Sequence, residues 1–150
     1  MKAVLYADGG ARGNPGPAGI GVVLKNENGE VLGEIAESIG EATNNVAEYR
    51  ALIAGLELAL AKGVTDLDVF MDSKLIVSQL KGEWKIKNDR LRTLAVRGRS
   101  LLNRFPHSTI QYVQREHNSD ADKLANQGMD AAMLDLDADR ESPDQQTFLE

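Results

Sequence analysis

Polar and apolar positions alternate along residues 1–132 in a way that separates strand-like from helix-like stretches. Residues 2–7 are apolar and β-prone and predict a buried strand. Residues 8–17, Asp8-Gly9-Gly10-Ala11-Arg12-Gly13-Asn14-Pro15-Gly16-Pro17, are dense in turn formers and predict a loop. Residues 20–25 and 30–39 predict two more strands. The Asn28-Gly29 pair between them is a strong hairpin signal, so the first three strands should form an antiparallel meander. The period then changes. Val46, Tyr49, Leu52, Ile53, Leu56 and Leu60 recur at helical spacing, with Thr43 and Asn44 able to cap the start and Gly63 at the end. A fourth strand over 66–71 and a short helix over 73–80 follow. A helix over 88–104 shows Leu91, Leu94, Ala95, Leu101 and Leu102 on one face and stops before Pro106. A fifth strand over 109–114 and a last helix over 120–132 complete the pattern. The order βββαβααβα predicts an α/β fold, a mixed five-stranded sheet with helices packed on it.

Beyond residue 132 the apolar period fades. Residues 133–150 are acidic, contain Pro143, and are expected to be a mobile tail, or one docked only through Phe148 and Leu149. Residues 1–132 are then one domain, without repeat or linker.

Charge refines this picture. The net charge of −6 argues against a nucleic-acid partner until its distribution is read. Residues 81–104 hold Lys81, Lys85, Lys87, Arg90, Arg92, Arg97, Arg99 and Arg104 against Glu83 and Asp89, a local net of +6. Residues 130–150 hold seven acidic residues against Arg140, a local net of −6 that hides the basic segment in the total. Such a segment is either a phosphate footprint or a solvated helix face. The chain has no cysteine, so any metal must be held by oxygen or imidazole ligands. No apolar run approaches the ~20 residues needed to span a bilayer, and the start does not read as a signal peptide. A cytoplasmic protein without membrane contact is expected.

Four acids stand out by position. Asp8 and Asp72 end predicted strands, and Glu48 and Asp122 fall in the first turns of predicted helices. Each has a local explanation, because acids favour turns, caps and helix N-termini. Together they have a common one. Functional groups of open sheets gather outside strand ends, beside helix starts. Carboxylates gathered there cannot all stay ionised without cations, and oxygen-only ligands select Mg²⁺ or Mn²⁺. A pair of such ions suits in-line displacement at phosphorus.

The segments Tyr6-Ala7-Asp8-Gly9-Gly10, Gly13-Asn14-Pro15-Gly16-Pro17, Thr43-Asn44-Asn45-Val46-Ala47-Glu48, Asp72-Ser73 and Asn118-Ser119-Asp120-Ala121-Asp122-Lys123-Leu124-Ala125 resemble type 1 ribonuclease H, in the family's order. That resemblance implies a ribonuclease H-like fold. It also implies an endonuclease that cuts the RNA strand of RNA–DNA hybrids with two Mg²⁺ ions, Mn²⁺ being a possible substitute, and leaves 5′-phosphate ends. It implies that Asp8 bridges both ions, that Glu48 and Asp72 complete one site, and that Asp122 completes the other. Glu48 should also meet the RNA 2′-hydroxyl, the group that separates RNA from DNA at a nucleotide. Gly9, Gly10, Asn14, Asn44 and Asn45 should lie along the hybrid. Thr43 and Asn88 should hold a DNA-strand phosphate, and Trp84 should pack beside a DNA sugar rather than in the core. A monomer is expected.

Three departures qualify the resemblance. The basic protrusion that many relatives carry after the short helix is missing, so grip should rest on Lys81, Lys85, Lys87 and their neighbours. Lys74 stands where relatives carry a glutamine after Asp-Ser, so that substrate contact changes character. The loop before the last helix is short, and its His117 is near the place of a family histidine that assists product release; its expected part in catalysis competes with that of an ordinary loop residue. The alternative function is a catalytically weak hybrid-binding module on the same fold, which loss of one acid would mark; all four are present.

Overall fold

A computed structural model describes residues 1–140. Its elements are β1 (Lys2–Ala11), β2 (Gly16–Asn26), β3 (Val31–Ala42), α1 (Asn44–Ala61), β4 (Asp66–Met71), α2 (Lys74–Leu80), α3 (Asp89–Leu102), β5 (His107–Tyr112), a 3₁₀ turn (Arg115–His117) and α4 (Ser119–Arg140). The sheet order is β3-β2-β1-β4-β5. β1, β2 and β3 pair antiparallel, whereas β1 with β4 and β4 with β5 pair parallel. This is the predicted mixed sheet.

Alternation along β1 sends Ala3, Leu5 and Ala7 to one face, where they are fully buried against α1. On α1, Tyr49, Leu52 and Leu56 are fully buried, and the Tyr49 hydroxyl donates to Gln79 Oε1 at 2.6 Å, so the one polar group on that stripe is satisfied. Removal of such side chains from water, at about 1.5–3 kcal/mol each, is what fixes α1 on the sheet. α4 packs on the opposite face, across β2, β3 and β1.

The structure corrects the predicted loop at residues 8–17. β1 runs through Asp8, Gly9 and Gly10 to Ala11, and β2 starts at Gly16, so the ladder continues to the Ala11–Ala18 pair. Only residues 12–15 turn. The glycines mark close approach instead. A Cβ at Gly9 would overlap the Ala47 carbonyl of α1, and Cβ atoms at Gly19 and Gly21 would overlap the backbone of α4 at Met129 and Ala121. Both helices therefore lie directly on the strands that carry the site.

Other boundaries shift by a few residues. β3 reaches Ala42, β5 occupies His107–Tyr112 rather than 109–114, and Glu48 falls in the second turn of α1, not the first. The last helix does not end at residue 132 but continues to Arg140. The mobility expected of the tail concerns residues that from 141 onward, Phe148 and Leu149 included, lie outside those described. Among the described residues, no helix is long and apolar enough to cross a membrane.

Candidate active site

The parallel pairing of β1 with β4 runs to Ala7 and Met71, so Asp8 and Asp72 follow side by side. β4 stops there and β1 continues, which opens a cleft beyond the end of β4. Glu48 enters from α1, where Gly9 lets the helix backbone approach. Asp122 enters from the first turn of α4. Asp8, Glu48 and Asp72 each offer a carboxylate oxygen, all within 4.8 Å of one another. Asp122 stands at the margin of this trio: it accepts from Arg115 Nη2 at 3.3 Å and faces Asp8. All four line one open cleft of about 470 Å³.

Electrostatics mark this cluster. Burial, then the Asp72 charge, then Asp122 and Glu48 push the Asp8 carboxyl up to about 9. Burial raises Glu48 to about 7; a hydrogen bond from Ser73 opposes this and the Asp72 charge adds to it. Burial also raises Asp72, against the lowering influence of Asn118 and Arg115. Asp72 Oδ2 is buried with no hydrogen-bond partner. An orphaned carboxylate oxygen is costly unless something cationic meets it. An all-oxygen donor set with such an orphan fits a hard divalent cation.

The other predicted site residues are distributed more widely. Gly9, Gly10 and Asn44 line the same cleft. Asn14 and Asn44 are tied together: Asn14 Oδ1 accepts from Asn44 N at 3.1 Å, and Asn44 Oδ1 accepts from Ala11 N at 2.8 Å. Thr43 and Asn88 cap α1 and α3, their side-chain oxygens accepting from Val46 N and Leu91 N. Trp84 is 46% exposed and so is no core anchor. Lys74 is exposed at the start of α2, and Asn45 is half-buried outside the cleft lining. His117 does not line the cleft; it lines a smaller pocket with Tyr6 and Lys25. Between α2 and α3 only residues 81–88 intervene, so the basic protrusion is absent in structure as in sequence.

Arg115, Asn118 and Arg12 were missed. Arg115, which opens the 3₁₀ turn after β5, donates to Asp122 at 3.3 Å and lines the cleft with the acids. Asn118 is buried, donates from Nδ2 to Ala7 O at 3.1 Å and lowers the proton affinity of Asp72, so it ties the start of α4 to β1 beside Asp8. Its signal in the sequence is its place at the head of the Asn-Ser-Asp-Ala-Asp segment. Arg12 also lines the cleft, and could be read as doing so only once β1 is known to run past Asp8.

Comparison with known proteins agrees with this arrangement. Residues 6–128 match the family model described as reverse transcriptase-like. The chain is 51% identical over 140 residues to a bifunctional protein of Mycobacterium tuberculosis, covering 93% of this chain but 38% of that protein. Its N-terminal RNase H domain, solved as a maltose-binding-protein fusion, superposes with TM-score 0.88 at 49% identity, over 91% of this chain and 99% of that one. RNase H1 of Halobacterium salinarum superposes with TM-score 0.85 at 45% identity, over 88% and 100%. An RNase H1 from compost, solved with an RNA/DNA hybrid, gives 0.82 at 43% identity, over 87% and 99%. With its sheet order, its carboxylate cleft and a family model spanning residues 6–128, this chain belongs to the ribonuclease H family.

Proposed function

We propose that this chain is an endonuclease that hydrolyses the RNA strand of RNA–DNA hybrids, with Asp8, Glu48, Asp72 and Asp122 holding two divalent ions, Mg²⁺ or in its place Mn²⁺. The observation that carries this reading is the cluster of Asp8, Glu48 and Asp72, one carboxyl buried and two half-buried, with carboxylate oxygens within 4.8 Å of one another around the orphaned Asp72 Oδ2. When bound, the ions would supply an activated water and charge stabilisation at the leaving oxygen.

The protein's own part is positioning. Asp8, between Asp72 and Asp122, serves both halves of the site. Glu48 sits on α1 next to the Asn14–Asn44 pair, a place suited to reading a 2′-hydroxyl and the shallow groove beside it. Arg115 neutralises Asp122 in the nucleic-acid-free protein. Trp84 and Lys85, on the exposed segment between α2 and α3, are suited to the DNA strand. The hybrid bound by the compost relative supports the same partner here. We infer a monomer, with residues 1–132 as the catalytic domain. No part in the reaction is assigned to His117.

The test is incubation with labelled RNA–DNA hybrid, DNA duplex and RNA duplex, in Mg²⁺ and in EDTA. Cutting of the hybrid's RNA strand alone, only with metal, is expected. Equal cutting of all three, or cutting that survives EDTA, would overturn the proposal.

A further inference from the structure

Asp8 and Gly10 alternate onto the face of β1 covered by α4, and Arg12, the first residue of the turn that follows, sends its side chain to the same helix. Arg12 lines the same cleft as the acids, where Arg115 is the other cation in the lining. About 13 Å of extended chain separates Arg12 from Asp8. That is too far to touch the bond being cut, and far enough to reach a phosphate a few nucleotides along the same strand.

α4 occupies this guanidinium. Arg12 Nη1 donates to Asp130 Oδ1 and contacts Met133 Sδ at 3.0 Å, and Nη2 reaches Asn126 Oδ1 at 3.3 Å. The ion pair is wet, with the Arg12 side chain 37% and the Asp130 side chain 63% exposed. Pairs this exposed are weakly held. A phosphodiester offers the planar guanidinium a two-oxygen partner that the single Asp130 contact does not match.

We propose that Arg12 is a phosphate-binding residue of the hybrid groove and that Asp130 masks it until nucleic acid arrives. This rests on the proposed hybrid substrate. It supplies grip on the α4 face of the sheet, opposite the α1 face on which α3 of the basic segment packs, in a protein that lacks the protrusion many relatives use.

The test is steady-state cleavage of labelled hybrid in Mg²⁺ between 50 and 200 mM salt, for wild type, Arg12→Gln, Asp130→Asn and the double variant. Loss of one phosphate contact should make the salt dependence of kcat/KM shallower by about 0.9 in log–log slope. Arg12→Gln should show that change with a KM raised about 3–10-fold and kcat unchanged, an effect on binding alone. Asp130→Asn should lower KM several-fold. In the Arg12→Gln background it should do nothing, because the mask acts only through Arg12.

A mere strut would behave differently: both single variants would raise KM and lower the melting temperature together. A bulk charge effect would let Asp130→Asn tighten binding equally in both backgrounds. Either result overturns the proposal while leaving hybrid cleavage by the wild type intact. A wild type that does not cut hybrid overturns this inference and the function it rests on.

Discussion

Replacing Asp8 with Asn should stabilise the metal-free protein while destroying its activity. Asp8 is 7% exposed and faces Glu48, Asp72 and Asp122. Its carboxyl moves from an ordinary 3.8 in the unfolded chain to about 9 in the fold. Over the interval between those values the folded state binds the extra proton, so folding opposes ionisation throughout it. At pH 7 the cost has a ceiling of about 4 kcal/mol, at 1.36 kcal/mol per pH unit. Neighbouring carboxyls share this cost and the cleft admits water, so about 2 kcal/mol is expected to be recovered. Asn keeps the volume, has no charge, and can donate to a remaining carboxylate. For a chain of this size the gain corresponds to a melting temperature raised by roughly 4–8 °C in EDTA. Mg²⁺ should reverse the ranking. A ligand at a hundred times its Kd stabilises wild type by about 2.7 kcal/mol, and the variant loses most of that gain. Cleavage should fall by roughly 10³ or more, as when a residue of a catalytic unit is removed. The assay is thermal melting with and without Mg²⁺, beside hybrid cleavage. An Asp8→Asn protein that melts at or below wild type in EDTA would show that the carboxyls are not electrostatically strained, and the reasoning would fail.

Three further outcomes follow from the same geometry. Metal-free wild type should lose stability as pH rises: the loss from Glu48 begins above 4.5 and is complete by about 7, and that from Asp8 extends toward 9. Mg²⁺ should flatten this dependence, and a melting temperature in EDTA that is level or rises from pH 5 to 9 would contradict it. Asn118→Ala should cost about 1–3 kcal/mol in denaturant unfolding, because it strands the Ala7 carbonyl, and should also lower kcat, because Asn118 fixes β1 beside Asp8 and lowers the proton affinity of Asp72. A loss of stability with kcat intact would separate Asn118 from the site. Gly21→Val should destabilise by more than about 3 kcal/mol, since its Cβ would overlap the α4 backbone at Ala121 and Ala125. A soluble variant that melts like wild type would show that α4 can lift without penalty.

Much of this protein is legible along the chain because its signals are local. The change of period near residue 43 separates meander from helix, and Thr43, Ser73 and Asn88 cap the helices they precede. Asp72 and Asp122 could be picked out because a strand end and a helix start are places that sequence pattern locates to within a few residues; Asp8 lies inside β1 and Glu48 in the second turn of α1, and the motifs around them mark them instead. The glycine-rich segment at 8–17 has the pattern of a loop yet folds largely as strand, for an equally physical reason. Glycine marks either a turn or a close approach of backbones, and only the approaching partner distinguishes them. Ala47 lies some forty residues from Gly9, and Met129 more than a hundred from Gly19.

The pairing of β1 with β4 sets how far apart Asp8 and Asp72 lie, and it depends on side chains buried between sheet and α1 along the whole of both strands. Nor does local pattern show that Asp122 is turned toward Arg115 or that Arg115 and not His117 stands at the acids. Those are consequences of how α4 lands on glycines of another element. Pattern and motif thus mark the candidate residues for the chemistry and the elements on which they ride. Packing decides their distances, proton affinities and the cations opposite them, because electrostatic energy depends on separation and burial, and neither is written along a chain.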